Sequence, residues 1–144
     1  MNVLKEILSK HKTIAMIGVS KDPKKPSTIV MKYMQKYGYK VIPVNPSAKG
    51  ETILGEEVFE KIADIKEQID IVDVFRPSKE AYGIAKDTVK IGAKVLWLQL
   101  GIRDEGAKKL VEKNDIKYVE NKCTKMEYQK HFLKKRQAFP VLSN

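Results

Sequence analysis

The chain has 144 residues, with 28 lysine and arginine residues against 18 aspartate and glutamate residues, a formal net charge of +10 and one cysteine. This length suits a single domain with one core, and a lone cysteine excludes an internal disulfide bond and argues against structural zinc. We therefore expect one domain over residues 1–144, without a membrane span or a metal site, in the reducing environment of the cytoplasm.

Hydrophobic periodicity predicts the elements in chain order. Val3, Leu4, Ile7 and Leu8 recur at helical spacing and predict a short first helix. Five apolar runs predict strands covered on both faces: Thr13 to Ile17, Tyr39 to Val44, Ile69 to Phe75, Lys94 to Leu98 and Ile116 to Val119. Four further segments predict helices: Thr28 to Tyr37, Lys79 to Ile91, Glu105 to Asn114 and Thr124 to Arg136. The residues after Arg136 are expected to be loosely held.

Small polar residues and glycines mark the helix ends. Ser27 and Ser78 are predicted N-caps, and Gly38 and Gly92 are predicted C-caps. The alternation of strand and helix predicts an α/β fold, a Rossmann-like three-layer domain with a doubly wound, mainly parallel five-stranded sheet in the order 3-2-1-4-5. Ligands of such sheets bind beyond the carboxyl ends of the strands. Four loops should meet there: Gly18 to Ser27, Asn45 to Lys49, Phe75 to Ser78 and Gln99 to Ile102.

The first of these loops is suited to a phosphate group. It leads into a helix, whose free backbone N–H groups and dipole attract anions. Gly18 allows close approach of a phosphate, and the Ser20 hydroxyl is a predicted phosphate contact. The loop contains Lys21, Lys24 and Lys25, and we favour Lys21 as the phosphate contact. Each of the three lysines also suits the role of a solvated surface charge.

The second loop argues against a dinucleotide of the NAD type. The first loop keeps only one glycine of the usual Gly-x-Gly-x-x-Gly pattern, and no acidic residue follows the second predicted strand. The chain there reads Asn45-Pro46-Ser47-Ala48-Lys49, and its amide, hydroxyl and ammonium groups accept a phosphorylated ribose better than a carboxylate would. Coenzyme A, with a ribose 3′-phosphate and a pyrophosphate, fits this pattern.

The last two loops offer further ligand contacts. Phe75 and Arg76 are able to stack on adenine, and each also suits an ordinary role at a strand end. Gln99 follows Trp97 and Leu98 and is the first polar residue after that strand, so it either faces the ligand or belongs to a turn.

Several motifs together resemble one family, the small stand-alone CoA-binding domain proteins, which are related to the amino-terminal domain of the succinyl-CoA synthetase alpha subunit. The resemblance rests on Ile17-Gly18-Val19-Ser20 with Pro26-Ser27, Val41 to Pro46, Val72 to Pro77, Trp97-Leu98-Gln99 with Gly101-Ile102, and Asn121-Lys122-Cys123. It implies that Gly18, Val19, Ser20 and Lys21 wrap the CoA phosphates and that Asn45 and Pro46 form a wall near the nucleotide. It also implies that Phe75, Arg76 and Pro77 contact the adenosine side and that Leu98, Gln99 and Leu100 line the pantetheine path.

The resemblance does not extend to catalysis, because the synthetase uses a histidine from another domain and a partner subunit. His11 and His131 lie among lysines at predicted helix ends and do not suggest a general base. The sequence leaves two functions open: a non-catalytic CoA or acyl-CoA carrier or regulatory module, and an enzyme or ligase subunit that uses Cys123. The alternative role of Cys123 is that of a small buried residue.

The positive charge leaves nucleic acid as a third class of partner. We expect none, because the lysines are spread along the chain with few aromatic residues among them on which bases would stack. The expected partner is a small molecule, and a protein partner stays open.

Overall fold

The structure is a computed structural model that describes residues 2–133. Its α-helices are α1 (Val3–Lys10), α2 (Pro26–Lys36), α3 (Ala81–Ile91), α4 (Glu105–Glu112) and α5 (Thr124–Phe132). Its strands are β1 (Thr13–Ile17), β2 (Lys40–Val44), β3 (Thr52–Ile53), β4 (Glu56–Glu57), β5 (Ile71–Val74), β6 (Val95–Leu98) and β7 (Lys117–Val119). Short 3-10 helices lie at Pro46–Ala48, Ile62–Asp64 and Ser78–Glu80. The predicted end of the last helix at Arg136 and the segment after it lie outside the described residues.

The α/β fold with a parallel five-stranded sheet is confirmed, but the predicted strand order is wrong. The sheet runs β2-β1-β5-β6-β7, so the five long strands lie in the order 2-1-3-4-5. The segment between β2 and β5 contains no α-helix that would carry the chain past β2. Instead it forms the small antiparallel β3–β4 hairpin, which the sequence did not predict, and Phe59 then hydrogen-bonds to the outer edge of β2.

The burial of β5 explains its central position in the sheet. All four residues of β5 are buried, so this strand needs sheet neighbours on both sides and helices on both faces. β1 and β6 provide the neighbours. β1 and β5 therefore lie side by side at the centre of the sheet, and the helices that follow them, α2 and α3, cover opposite faces.

The two predicted serine N-caps are wrong. Pro26 takes the first position of α2, a position that suits its fixed φ, and Ser27 therefore lies inside the first turn. Its buried Oγ accepts a hydrogen bond from the Ser20 backbone N–H at 3.1 Å. Ser78 begins a 3-10 helix ahead of α3, and its Oγ accepts from the Arg103 N–H at 3.0 Å. Gly92 (φ 71°) is the C-cap of α3 as predicted, whereas the C-cap of α2 is Tyr37 and Gly38 (φ 97°) follows it.

The core has two halves, one on each face of the sheet. One contains Trp97, Met16 and Met31 beneath α1, α2 and α5, and the other contains Leu96 and Leu98 beneath α3 and α4. The Trp97 indole N–H donates to the Lys122 carbonyl at 2.8 Å, which ties β6 to the start of α5. Within residues 2–133, no helix has the length and apolar character needed to cross a bilayer.

Candidate functional site

Two cavities open where the chain leaves the carboxyl ends of the central strands. The first, which we call the β2-side cavity, has a volume of about 400 Å³. Its polar and charged lining includes Asn45, Ser47, Glu60, Lys61, Arg76, Glu80 and Asp87, and Gly18, Pro46, Ile62 and Ile84 also contribute. Four residues predicted from the sequence thus meet here: Gly18, Asn45, Pro46 and Arg76.

The second cavity, the β6-side cavity, has a volume of about 530 Å³ and is mostly apolar. It is lined by Pro26, Val30, Phe75, Arg76, Pro77, Gln99, Leu100, Ile102 and Cys123. Five predicted site residues meet in it: Phe75, Arg76, Pro77, Gln99 and Leu100. Arg76 lines both cavities, which places them next to each other along one rim.

Gly18 holds three loops together at the base of the rim. Its N–H donates to the Val44 carbonyl at 2.8 Å, and its φ of 92° is a conformation that side chains rarely adopt. A Cβ at this position would lie 2.7 Å from the Phe75 carbonyl oxygen and 3.0 Å from the Arg76 Cδ. The chain after β1 is therefore packed directly against the chain after β5, and only glycine fits between them.

The loop after β1 is stabilised by its own hydrogen bonds. The Ser20 Oγ accepts from the Asp22 N–H at 3.0 Å, and the Ser20 carbonyl accepts from the Thr28 hydroxyl at 2.6 Å. The Asn45 side chain donates to the Val19 carbonyl at 2.8 Å, so the loop after β2 braces the loop after β1. Val19 and Ser27 are buried. Neither cavity lining includes Val19, Ser20, Lys21, Lys25 or Ser27.

The lysine that lines the β2-side cavity is not one that the sequence pattern selected. Lys21 forms an ion pair with Glu51 at 3.1 Å, and Lys49 forms one with Glu60 at 3.4 Å. Lys61 lines the cavity and forms no ion pair with any residue in the range 2–133. Sequence reasoning missed Lys61 because it lies in the irregular connection between β2 and β5, and its position depends on the path of that connection.

Arg76 lies between the two cavities and is oriented by a pair of hydrogen bonds to Glu80. Its Nε donates to Glu80 Oε1 at 3.0 Å and its Nη2 donates to Glu80 Oε2 at 2.7 Å. The hydrogen bond from Arg76 lowers the pKa of the Glu80 carboxyl. A two-pronged pair of this kind fixes the plane of the guanidinium group, which provides a flat cationic surface for a base or a phosphate.

The amide group of Gln99, predicted either to face a ligand or to belong to a turn, is partly engaged inside the protein. Its Nε2 donates to Asp73 Oδ1 at 2.5 Å and to Thr124 Oγ1 at 3.0 Å, and the Thr124 hydroxyl donates to Asp73 Oδ2 at 3.2 Å. Asp73 is fully buried, and this desolvation raises the pKa of its carboxyl to about 7. The neighbours of Gln99 differ from each other: Leu98 is buried in the core and lines neither cavity, whereas Leu100 is 57% exposed at the cavity mouth.

Cys123 lies at the amino-terminal end of α5 and lines the β6-side cavity, with only 9% of its surface exposed. The two histidines lie elsewhere. His131 contacts Glu127 on α5 at 3.2 Å, and His11 lies 4.0 Å from Asp70 at the opposite end of the sheet.

Comparisons with known proteins show the family of the chain. The sequence pattern of the CoA binding domain family matches residues 12–129. The chain belongs to the CoA-binding domain family. The Bacillus subtilis protein YneT is 35% identical to this CoA-binding domain over 125 residues, which cover 87% of the chain and 91% of YneT.

Solved structures of similar size support the assignment. A Thermus thermophilus protein shares 37% identity with a TM-score of 0.87, and the match covers 92% of this CoA-binding domain and all of that chain. A Pyrococcus horikoshii protein shares 34% identity with a TM-score of 0.83, over 88% of each chain.

The alpha subunit of an ADP-forming acetate–CoA ligase from Pyrococcus furiosus is 30% identical over 63% of this chain, but the match covers only 21% of that subunit.

Proposed function

We propose that this CoA-binding domain binds coenzyme A or an acyl-CoA noncovalently, as a carrier or regulatory module without chemistry of its own. The observation that carries the proposal is the pair of adjacent cavities that share Arg76 at the carboxyl ends of β1 and β5. Lys61 and Arg76 give the first cavity two cationic groups for the phosphorylated nucleotide, beside the carboxylates of Glu60, Glu80 and Asp87, and the second cavity is apolar, which suits the pantetheine arm. Membership of the family supports the same ligand.

The direct test is calorimetry with purified protein, titrated with CoA, acetyl-CoA, NAD and a short DNA duplex. We expect saturable binding of CoA or acetyl-CoA, persisting at a salt concentration that removes any DNA binding, because counterion release dominates nonspecific DNA contacts. Mass spectrometry under native conditions then identifies the acyl group of any ligand that copurifies. Absence of CoA and acetyl-CoA binding by calorimetry would contradict the proposal.

Lys61 is our candidate for recognition of a ligand phosphate. Lys61→Ala is expected to weaken CoA binding about tenfold, because a charge-assisted hydrogen bond at a partly solvated site contributes roughly 1.5 kcal/mol. The matched control is Lys66→Ala, which removes the same charge from an exposed position that lines neither cavity. Lys21→Ala, measured in parallel, tests the lysine that the sequence pattern favoured. An equal effect of Lys61→Ala and Lys66→Ala would show that only net charge matters.

The position of Cys123 in the wall of the β6-side cavity favours a second candidate function, acyl transfer. In this reaction the Cys123 thiolate attacks the carbonyl carbon of an acyl-CoA, the acyl group moves to Cys123 as a new thioester, and the CoA thiolate leaves. A protein partner would then accept the acyl group, as in a larger ligase. We expect Cys123→Ser to abolish acyl labelling after incubation with acetyl-CoA while CoA binding persists. Absence of labelling in the unmodified protein would favour the carrier.

A further inference from the structure

Gln99, in the wall of the β6-side cavity, uses the donor group of its side-chain amide within the protein but not the acceptor group. Gln99 is 3% exposed, and both hydrogens of its Nε2 are directed at Asp73 and Thr124. Its Oε1 accepts no hydrogen bond from residues 2–133, and it is not among the fully buried, unpartnered side-chain atoms of that range, which comprise Tyr33 Oη alone. Gln99 lines the β6-side cavity, and Oε1 is the polar side-chain atom of Gln99 that is left for a ligand there.

From this geometry we propose that Gln99 Oε1 is a fixed hydrogen-bond acceptor for an amide N–H of the ligand arm in the β6-side cavity, with Asp73 and Thr124 as positioning residues. The inference rests on the proposed function, because it names the part of CoA that this cavity recognises. The pantetheine arm is a largely apolar chain that carries two secondary amides, each with one N–H donor, and one hydroxyl group near the end that joins the nucleotide.

The orientation of the Gln99 amide is set by its partners. When Asp73 is ionised, as at pH 8, it presents a carboxylate oxygen to Nε2, and reversing the amide would bring two oxygen acceptors face to face. The Thr124 hydroxyl donates to Asp73 and holds the carboxylate in place. These contacts join β5, the loop after β6 and the start of α5, so Oε1 is positioned before any ligand arrives.

The surroundings of Oε1 define the class of ligand that fits. Phe75, Leu100, Ile102 and Val30 form apolar walls, and Cys123 adds a weakly polar thiol. A ligand segment with apolar groups and a single inward N–H satisfies Oε1 and buries its carbon atoms at once. A purely hydrocarbon segment would leave Oε1 desolvated and unpaired, which is unfavourable.

The test compares CoA with adenosine 3′,5′-bisphosphate, the nucleotide half of CoA without the pantetheine arm. Gln99→Met keeps the side-chain length but removes the whole amide, both the Oε1 acceptor and the Nε2 donor to Asp73 and Thr124, and we expect it to weaken CoA binding about tenfold at pH 8. Affinity for the bisphosphate should change by less than about twofold, because that ligand does not reach Gln99. Gln68→Met is the matched control, since Gln68 is exposed and lines neither cavity.

A second measurement uses the unmodified protein, in case Gln99→Met folds poorly. The side-chain ¹⁵N–¹H resonances of Gln99 are expected to shift on addition of CoA and to stay in place on addition of the bisphosphate. Unmodified protein that binds CoA without a shift of Gln99, or a Gln99→Met variant that binds CoA normally, would overturn this inference and leave the proposed function intact. Failure of the unmodified protein to bind CoA would instead refute the proposed function.

Discussion

Gly18→Ala is expected to lower the free energy of unfolding by about 3 kcal/mol and to abolish CoA binding. About 1 kcal/mol of this loss comes from the positive φ of residue 18, because a residue with a side chain is strained in that backbone conformation. The remainder comes from the new Cβ, which would lie 2.7 Å from the Phe75 carbonyl oxygen. The new Cβ would push the loop after β1 away from the loop after β5, and this would also displace Arg76, which lines both cavities.

Urea unfolding, followed by the fluorescence of the single tryptophan, Trp97, measures this effect. Gly50→Ala provides a matched control, because Gly50 has a φ of 83° and nothing within 4 Å of its Cβ position. This control should lose only the backbone contribution, about 1 kcal/mol, and should still bind CoA. Equal losses for the two variants would mean that contact between the loops does not determine the stability of the rim.

Asp73→Asn is expected to remove most of the pH dependence of stability between pH 5 and pH 8. In the folded protein, burial raises the pKa of Asp73 to about 7, from 3.8 in an unperturbed carboxyl group. Between these values the folded state binds one more proton than the unfolded chain. The stabilising contribution is therefore complete below the unfolded pKa and is lost as the pH rises through about 7. Over this range the loss in the unmodified protein is of order 3 kcal/mol.

Asparagine does not titrate, and it preserves the polar contacts of Asp73. Its carbonyl oxygen accepts from Gln99 in place of Asp73 Oδ1, and its amide donates to the Thr124 oxygen once the Thr124 hydroxyl hydrogen turns away from residue 73. Above pH 7 the variant should consequently be more stable than the unmodified protein. Urea unfolding at several pH values measures both effects, with Asp64→Asn at an exposed site as the control. A steep fall in stability from pH 5 to pH 8 in Asp73→Asn would assign the dependence to another group.

Both predictions concern contacts that join the central strands of the sheet to the walls of the two cavities. Gly18 follows β1 and is packed against the chain after β5, whereas Asp73 lies within β5 and holds Gln99 in the wall of the β6-side cavity. The proposed ligand site is therefore built next to the most buried part of the sheet. A site of this kind is organised before binding, so less conformational entropy is lost when the ligand binds.

The sequence alone was sufficient to predict the helices and the five long strands, and to predict at which end of the sheet the cavities lie. Apolar runs and helical spacing are local patterns, and they predicted the five long strands and the helices within a few residues. The carboxyl ends of parallel strands lie at one edge, so the four loops were correctly expected to meet there. The motifs around Gly18, Asn45, Phe75 and Gln99 were also sufficient for the family, which the match over residues 12–129 confirms.

The tertiary structure decided the strand order and the direction of individual side chains. The position of β5 beside β1 depends on the irregular path after β2, and that path also brings Lys61 into the β2-side cavity while Lys21 pairs with Glu51 outside it. The bond between Gln99 and Asp73 joins residues 26 positions apart in the chain. Local patterns report which residues share an element, but the partner of a polar side chain is chosen by packing between distant segments, and this is why only the folded chain shows it.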